Sequence, residues 1–268
     1  MKQKYFLIDV AKCHDCNNCF MACKDEHVGN AWLPYSDAQP RHGHRWMNIM
    51  RKERGQYPRI DMAYLPMPCQ HCADAPCQKE CPDLITRRED GIVLINVEAA
   101  RGKKELVDAC PYGAIYWNED ANVGQKCTMC AHLLDNGVQE MPRCTHGCPT
   151  GAMGFVIQEP EEFEKFAKAE GYERYLDNIA PQGNVYYKNL HIYTKNFIAG
   201  AVVKDGDCVE DAEVRLSGNG VDCSMKTDYF GDFKFDALAQ GEYTISVNGK
   251  EVKKLNIDES VNVDFINI

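Results

Sequence analysis

Apolar residues follow two different patterns along the chain. In the first part they occur in short runs between cysteine-rich segments, whereas from about residue 197 they recur at every second position. Alternation at every second position is typical of strands that bury one face. We therefore expect two domains, over residues 1–195 and 196–268.

Short apolar runs predict the elements of the first domain. Residues 5–10 are expected to form its first strand, and a hairpin is expected to turn at Asp90 and Gly91, a preferred turn sequence. Residues 97–109, rich in Ala, Glu, Lys and Leu, predict a helix. Further expectations are short strands over residues 115–117 and 153–157, an acidic exposed helix over 158–168, and a linker or tail over 177–196.

The second domain is predicted to be an antiparallel sandwich or barrel of about seven short strands. Val214 and Leu216 alternate with polar residues, and turn signals such as Asn248-Gly249 separate the runs. With about 70 residues this domain has a small core, so we expect it to dock on the first domain or on a partner. Cys208 and Cys223 are expected to be small buried apolar residues.

Charge and hydropathy limit the possible partners. A net charge of −10 argues against binding to nucleic acid or to anionic lipid, both of which need clustered Lys and Arg. No apolar run approaches the roughly 18–20 residues that span a bilayer, and the N-terminal apolar run is too short for a signal peptide. We therefore expect a cytoplasmic protein without direct membrane insertion, unless a partner carries an export signal.

Cysteine is the most unevenly distributed residue type. Of the 15 cysteines, 13 lie before residue 149. A chain of this length needs no disulfide staples, and cysteines as close as C-x2-C rarely form relaxed disulfides. Metal-bound thiolates in a reducing compartment are therefore the favoured interpretation.

The outer cysteine motifs predict two iron–sulfur sites. Four cysteines within Cys13–Cys23 have the spacing C-x2-C-x2-C-x3-C, in which three thiols hold one cube and the fourth holds a second. A partner motif occupies residues 127–148, and Cys-Pro-x-Gly-Ala occurs at both 110–114 and 148–152, as in the pseudo-symmetric bacterial ferredoxins. The predicted ligands are Cys13, Cys16, Cys19 and Cys148 for cluster 1, and Cys23, Cys127, Cys130 and Cys144 for cluster 2.

The inner pair of motifs is incomplete and predicts one further site. Cys110 ends the second of these motifs, but the three preceding ligand positions hold Ala100, Lys103 and Leu106. In a complete pair of motifs, Cys81 would bind a further cube held mainly by the second motif. Because that motif lacks three of its cysteines, we expect Cys81 to be a free thiol. The predicted ligands of cluster 3 are Cys69, Cys72, Cys77 and Cys110.

Cysteine motifs of this kind also occur in other metal sites. Zinc stays an alternative because C-x2-C pairs also form zinc ribbons, although the overlapping first run suits a cube better. No C-x-x-C unit is followed by His, which excludes c-type haem attachment. Histidines beside the cysteines are more often hydrogen-bonding or surface residues than ligands. They are His14, His71, His132 and His146.

These motifs resemble a known family. Over about two-thirds of the chain, the cysteine motifs with their flanking residues resemble those of the iron–sulfur subunits of the dimethyl sulfoxide reductase class of molybdopterin enzymes. The motif that ends at Cys110 lacks three cysteines and so departs from the family's four-cluster pattern. The resemblance implies an α+β fold with a bacterial-ferredoxin-like domain that holds three [4Fe–4S] clusters. The second domain, with residues 227–233 and 241–243 as its marks, resembles the transthyretin or carboxypeptidase-regulatory type of sandwich.

The resemblance also implies a partner. A large catalytic subunit would bind molybdenum through bis(pterin guanine dinucleotide), and this chain would carry electrons, with cluster 1 nearest the molybdenum. No catalytic acid–base or nucleophile constellation is recognisable, so whether this chain is itself an enzyme stays open. A mainly structural cluster scaffold and a free ferredoxin-like carrier are the alternatives. The attached sandwich and the insertion over residues 24–68, which could cover the clusters or meet the partner, favour a bound subunit.

Overall fold

A computed structural model describes residues 1–176, 178 and 182–268. The chain divides into two compact units: Met1–Met50 with Tyr64–Leu190, and Arg51–Ala63 with His191–Ile268. The segment Arg51–Ala63 thus belongs to the second unit although it lies early in the sequence. The sequence does not predict this, and the division at residues 195 and 196 stays a prediction.

The first unit combines a few longer elements with many short ones. Its strands are β1 (Gln3–Asp9), β2 (Met47–Gln56) and β3 (Arg59–Pro68), whose hairpin the two units share, β4 (Ile85–Arg87), β5 (Val93–Ile95), β6 (Tyr116–Asn118), β7 (Val123–Gln125), β8 (Met153–Gln158), β9 (Tyr172–Glu173) and β10 (Val185–Lys188). Its helices are α1 (Asn18–His27), α2 (Pro76–Glu80), α3 (Ala131–Asp135), α4 (Arg143–His146) and α5 (Pro160–Glu170), with 3₁₀ helices at Val10–Lys12 and Lys104–Val107. No helix in the described part of the chain is long and apolar enough to cross a bilayer.

The main sheet of the first unit has the strand order β8-β1-β10-β9. Strand β1 pairs antiparallel with β8 and parallel with β10, which confirms the strands predicted over residues 5–10 and 153–157. The expectation of a linker over 177–196 is wrong for β10, because its apolar residues Val185–Tyr187 are buried in this sheet. Residues 177 and 179–181 of that stretch lie outside the described part.

Residues 97–109 do not form the predicted helix. They form turns and the 3₁₀ helix Lys104–Val107, and Gly102 has a φ of +75°, which a right-handed helix does not allow. Ala100 and Leu106 are fully buried in one apolar cluster with the β4–β5 hairpin. Packing around this small core therefore overrides the local helix propensity.

Two other local predictions are confirmed. Strands β4 and β5 form the hairpin expected around Asp90 and Gly91. The helix predicted over residues 158–168 is α5, which ends at Gly171 in a left-handed conformation. Its exposure is only partial, because Phe163 is buried and stacks on Tyr5 with ring centroids 3.6 Å apart.

The second unit contains two four-stranded sheets. The unit comprises α6 (His191–Thr194), β11 (Asn196–Lys204), β12 (Asp207–Cys208), β13 (Glu213–Gly218), β14 (Val221–Lys226), β15 (Asp232–Leu238), β16 (Gly241–Val247), β17 (Lys250–Ile257) and β18 (Val261–Asn267). One sheet has the order β12-β11-β15 with β18 also on β11, and the other has the order β14-β13-β16-β17. Apolar side chains of both sheets form one core, as in a sandwich. The expectation of a purely antiparallel arrangement is wrong for β18, which runs parallel to β11.

Arg54 anchors the hairpin segment within the second unit. Its side chain is buried, and Nη2 donates to Asp236 Oδ1 at 2.6 Å while Nη1 donates to the Ile192 carbonyl at 2.5 Å. The guanidinium carbon lies 5.1 Å from the centroid of the Phe197 ring. A residue more than 130 positions away in sequence is thus part of the structure around β11.

Candidate metal centres

The loop after β1 positions the first cysteines. A 3₁₀ helix leads to Cys13, and Asp15 and Asn17 then adopt positive φ values of 55° and 60°, so the loop curls before α1 begins. Cys19 and Cys23 lie four residues apart on α1, on the same helix face. One short helix therefore supplies thiols to two neighbouring sites.

Twelve thiols come together in three groups of four. They are the first thiol group, Cys13, Cys16, Cys19 and Cys148; the second, Cys23, Cys127, Cys130 and Cys144; and the third, Cys69, Cys72, Cys77 and Cys110. The other three thiols of the group are among the causes that raise the pKa of Cys19, Cys144 and Cys72, as like charges do at short range. The memberships coincide with the predicted ligand sets, although ligation itself stays a prediction.

Burial is the main cause of the raised pKa values. Burial first, and then the other three thiols of its group, raise the pKa of Cys19 to about 12. The same causes raise the pKa of Cys144 and of Cys72 well above the ordinary value of a thiol. Four buried thiolates would repel one another, so the arrangement favours a cationic metal group that replaces the protons.

The three groups follow one another within the first unit. The thiol of Cys19 in the first group raises the pKa of Cys144 in the second group. The thiol of Cys69 in the third group raises the pKa of Cys127 in the second. The second thiol group therefore lies between the other two, and all four of its members are buried. The first group is the most accessible, since Cys16 is exposed.

Backbone N–H groups point at several of these sulfurs. The Met129 N–H donates to Cys127 Sγ at 3.3 Å, which the positive φ of Met129 and Cys130 makes possible. Burial favours a raised pKa at Cys148, but the Thr150 hydroxyl and nearby backbone N–H groups bring its pKa below the ordinary value. Donors of this kind stabilise metal-bound thiolates and influence cluster potentials.

Buried polar atoms beside the cysteines lack a partner among the described residues. They include the hydroxyls of Thr128 and Thr145 and Nε2 of His71. Nδ1 of His71 accepts the Val93 N–H at 3.0 Å, so the neutral ring carries its proton at Nε2. Such orphaned donors fit a group rich in acceptor sulfurs, as an iron–sulfur cluster is.

No set of three or more His, Cys, Asp or Glu side chains within the described residues is arranged to hold a single metal ion. A four-iron cube does not require such a set, because each cysteine binds a different iron. The residues of the three thiol groups therefore fit cubes by their number, burial and donor atoms.

Apolar side chains occupy two positions at which the incomplete motif lacks a cysteine. Ala100 and Leu106 occupy two of the three absent ligand positions, and both are fully buried with Ile115 and Val123. Cys81 is half-buried beside this core. Burial, Glu105 and Glu80 raise its pKa, and no other thiol contributes.

The expectation for the two cysteines of the second unit is wrong. Cys208 and Cys223 are exposed rather than buried. Cys208 ends the two-residue strand β12, and Cys223 lies on β14, an edge strand whose residues are all exposed or half-buried. A short edge strand presents few side chains to the core, whatever their polarity.

The histidines beside the cysteines have other roles in the structure. His14 and His146 are exposed. His132 is buried, lies 2.9 Å from Glu26 Oε1 through Nε2, and stacks on Trp32 with ring centroids 4.5 Å apart. The early part of the insertion over residues 24–68 thus packs on α3, directly after Cys130.

Two buried lysines were not predicted. Lys24 and Lys126 each adjoin a cysteine of the second thiol group, and their exposed fractions are 8% and 3%. Their proximity to cysteines was visible in the sequence. Their burial was not, because lysine is among the residues least often buried.

Comparisons with known proteins agree with this chemistry. Residues 60–158 match the 4Fe-4S dicluster domain family. The chain is 49% identical to the pyrogallol hydroxytransferase small subunit of Pelobacter acidigallici, over 100% of both proteins. It is 32% identical to the B subunit of the anaerobic dimethyl sulfoxide reductase of Escherichia coli, over 56% of this chain and 71% of that protein.

A solved structure is similar only to part of the chain. A 5-hydroxyisourate hydrolase from Klebsiella pneumoniae matches 27% of this chain and 90% of its own, with 19% identity and a TM-score of 0.23. The similarity to the Pelobacter acidigallici protein is much stronger and covers the full chain. It agrees with the dicluster domain match and with the cysteine pattern. The chain belongs to the family of pyrogallol hydroxytransferase small subunits, among the iron–sulfur subunits related to dimethyl sulfoxide reductase.

Proposed function

We propose that this chain holds three [4Fe–4S] clusters, one on each thiol group, and serves as the electron-transfer subunit of a molybdopterin enzyme. The observation that carries the proposal is the gathering of twelve cysteines into three groups of four. A [4Fe–4S] cluster, when bound, supplies reversible one-electron transfer.

The residues of the chain would bind, order and shield the clusters. Thiolates hold them, backbone N–H groups stabilise the thiolates, and the burial of the second group excludes water between the outer two. Because the first group is the most accessible, we propose that it faces the molybdenum of the large subunit.

The full-length similarity supports a particular reaction for the complex. In this proposal the large subunit binds molybdenum bis(pterin guanine dinucleotide) and converts pyrogallol into its isomer phloroglucinol by exchange of a hydroxyl between phenols. This exchange has no net redox change, so the small subunit would set the oxidation state of the metal. We propose a cytoplasmic complex and a transthyretin-like type for the sandwich.

Metal analysis of the purified complex tests the cluster count. Three cubes require about twelve irons per small chain, with molybdenum present in the same complex. Sixteen irons, or zinc in place of iron, would contradict the proposal. Reduction of the clusters when substrate is added would argue against a purely structural role.

A pair of cysteine variants tests the third site. Cys110→Ser should remove one cluster, about four irons per chain, because Cys110 is its fourth ligand. Cys81→Ser is the matched control and should keep all the iron, since Cys81 lies outside the three thiol groups. Iron assay and electron paramagnetic resonance of the reduced complex provide the measurement. Equal iron losses in both variants would refute the assignment.

A further inference from the structure

Lys126 is a buried cation within the first unit. It lies between the end of β7 and Cys127, and its side chain is 3% exposed. Nζ donates to the Val93 carbonyl at 2.5 Å and to the Cys127 carbonyl at 3.2 Å. These partners are neutral, so no carboxylate among them cancels the charge of the ammonium.

The two carbonyls place Lys126 beside two thiol groups. Cys127 belongs to the second thiol group, and Val93 lies in the same apolar cluster as Cys72 and Cys77 of the third. The charge of Lys126 is close enough to act on a thiolate at Cys77 as well as at Cys127. One buried cation therefore lies beside both groups.

Lys24 offers a contrast within the same unit. Its Nζ donates to the Pro40 carbonyl at 2.9 Å, and it directly follows Cys23 of the second thiol group. Its charge acts against the rise in the pKa of Cys23, for which burial is the first cause. Lys24 thus adjoins the second group, whereas Lys126 adjoins the second and the third.

We propose that Lys126 is a positioning charge shared by the second and third thiol groups. Its charge raises the reduction potentials of the centres on both groups and leaves the potential of the centre on the first group unchanged. An added electron makes a centre more negative, and a nearby buried cation lowers the energy of that state because the low dielectric screens little. The inference rests on the proposed function, since it requires clusters on these thiols.

The test is a redox titration of the complete complex followed by electron paramagnetic resonance. In Lys126→Met, two of three midpoint potentials should fall, each by at least a tenfold change in the oxidised-to-reduced ratio, or about 59 mV for one electron. Lys126→Gln removes the charge but keeps a donor for the carbonyls, and should give the same pattern. Lys126→Arg keeps the charge and should retain the wild-type potentials.

Two further variants make the pattern specific. Lys24→Met should lower one potential only, and that centre should be one of the two moved by Lys126→Met. Lys165→Met, an exposed position on α5, makes the same change of charge and should move none. Full iron content with three unchanged potentials in both neutral Lys126 variants would overturn the inference, as would an equal shift of all three. A wild-type complex without three clusters would contradict the proposed function instead.

Discussion

The two units of this chain are built in different ways. In the first unit, strands β4 to β7 have three residues each and helix α4 has four. In the second unit, β11 has nine residues and β17 has eight, and both sheets contribute to one apolar core. Strands as short as β4 to β7 and a helix as short as α4 bury too little surface to be stable by themselves.

This difference indicates what holds each unit together. The first unit buries eight cysteines in addition to its apolar side chains, whereas both cysteines of the second unit are exposed. When ligands converge only in the folded state, the free energy of metal binding becomes free energy of folding. We therefore expect the first unit to depend on its clusters and the second on burial of apolar surface.

Removal of iron should have the largest effect and should separate the two units. In the full chain stripped of iron by a chelator, amide protons of the first unit should exchange rapidly, because its buried thiolates lose their common ligand. Amide protons of the second unit, which includes Arg51–Ala63, should stay protected from exchange. Hydrogen exchange followed by mass spectrometry measures both in one sample. Equal loss of protection in both units would contradict the comparison.

Loss of the Arg54 anchor should have an intermediate effect confined to the second unit. Arg54→Met removes the ion pair between a buried guanidinium and half-buried Asp236, together with the hydrogen bond to the Ile192 carbonyl. We expect the free energy of unfolding of this unit to fall by about 2–3 kcal/mol, with iron content unchanged. The measurement is denaturant unfolding monitored by amide hydrogen exchange in the second unit.

Arg215→Met is the matched control for the Arg54 anchor. Arg215 forms an exposed ion pair with Asp222 in the same unit, and exposed pairs contribute little to stability. Equal effects of the two arginine variants would show that burial of Arg54 is unimportant. Iron loss in Arg54→Met would show that the two units do not respond separately.

Disruption of a surface hydrogen-bond network in the first unit should have the smallest effect on stability. Arg88 donates to Asp135 through Nη1 and Nη2 at 2.6 and 2.8 Å, and Tyr35 donates to the same carboxylate at 2.8 Å. Hydrogen bonding to Arg88 is the first cause of the lowered pKa of Asp135. Asp135→Asn should cost about 1 kcal/mol at pH 7.

The pH dependence of this cost follows from the sign of the shift. A carboxyl with a lowered pKa in the folded state stabilises fully above its unfolded pKa, and the contribution is lost as pH falls through the folded pKa. The difference in unfolding temperature between wild type and Asp135→Asn should thus be constant from pH 8 to about pH 5 and shrink below. A difference that grows as the pH falls would contradict the assignment.

Some features could be predicted from the sequence because they depend on neighbours along the chain. The β4–β5 hairpin follows from Asp90 and Gly91, and the alternating strands of the second unit follow from period-two patterns. Residues 97–109 show the limit, since local propensity predicts a helix where packing of Ala100 and Leu106 requires turns. The exposure of Cys223 also depends on its place on an edge strand.

Cysteine spacing alone predicted three sets of four ligands, because the spacing restricts which thiols can reach one cube. Hydrophobic periodicity likewise predicted two regions, since it reports on buried faces. Folding brings Arg51–Ala63 into the second unit and buries Lys126 beside two thiol groups. Both depend on contacts between residues far apart in the chain, which no local pattern encodes.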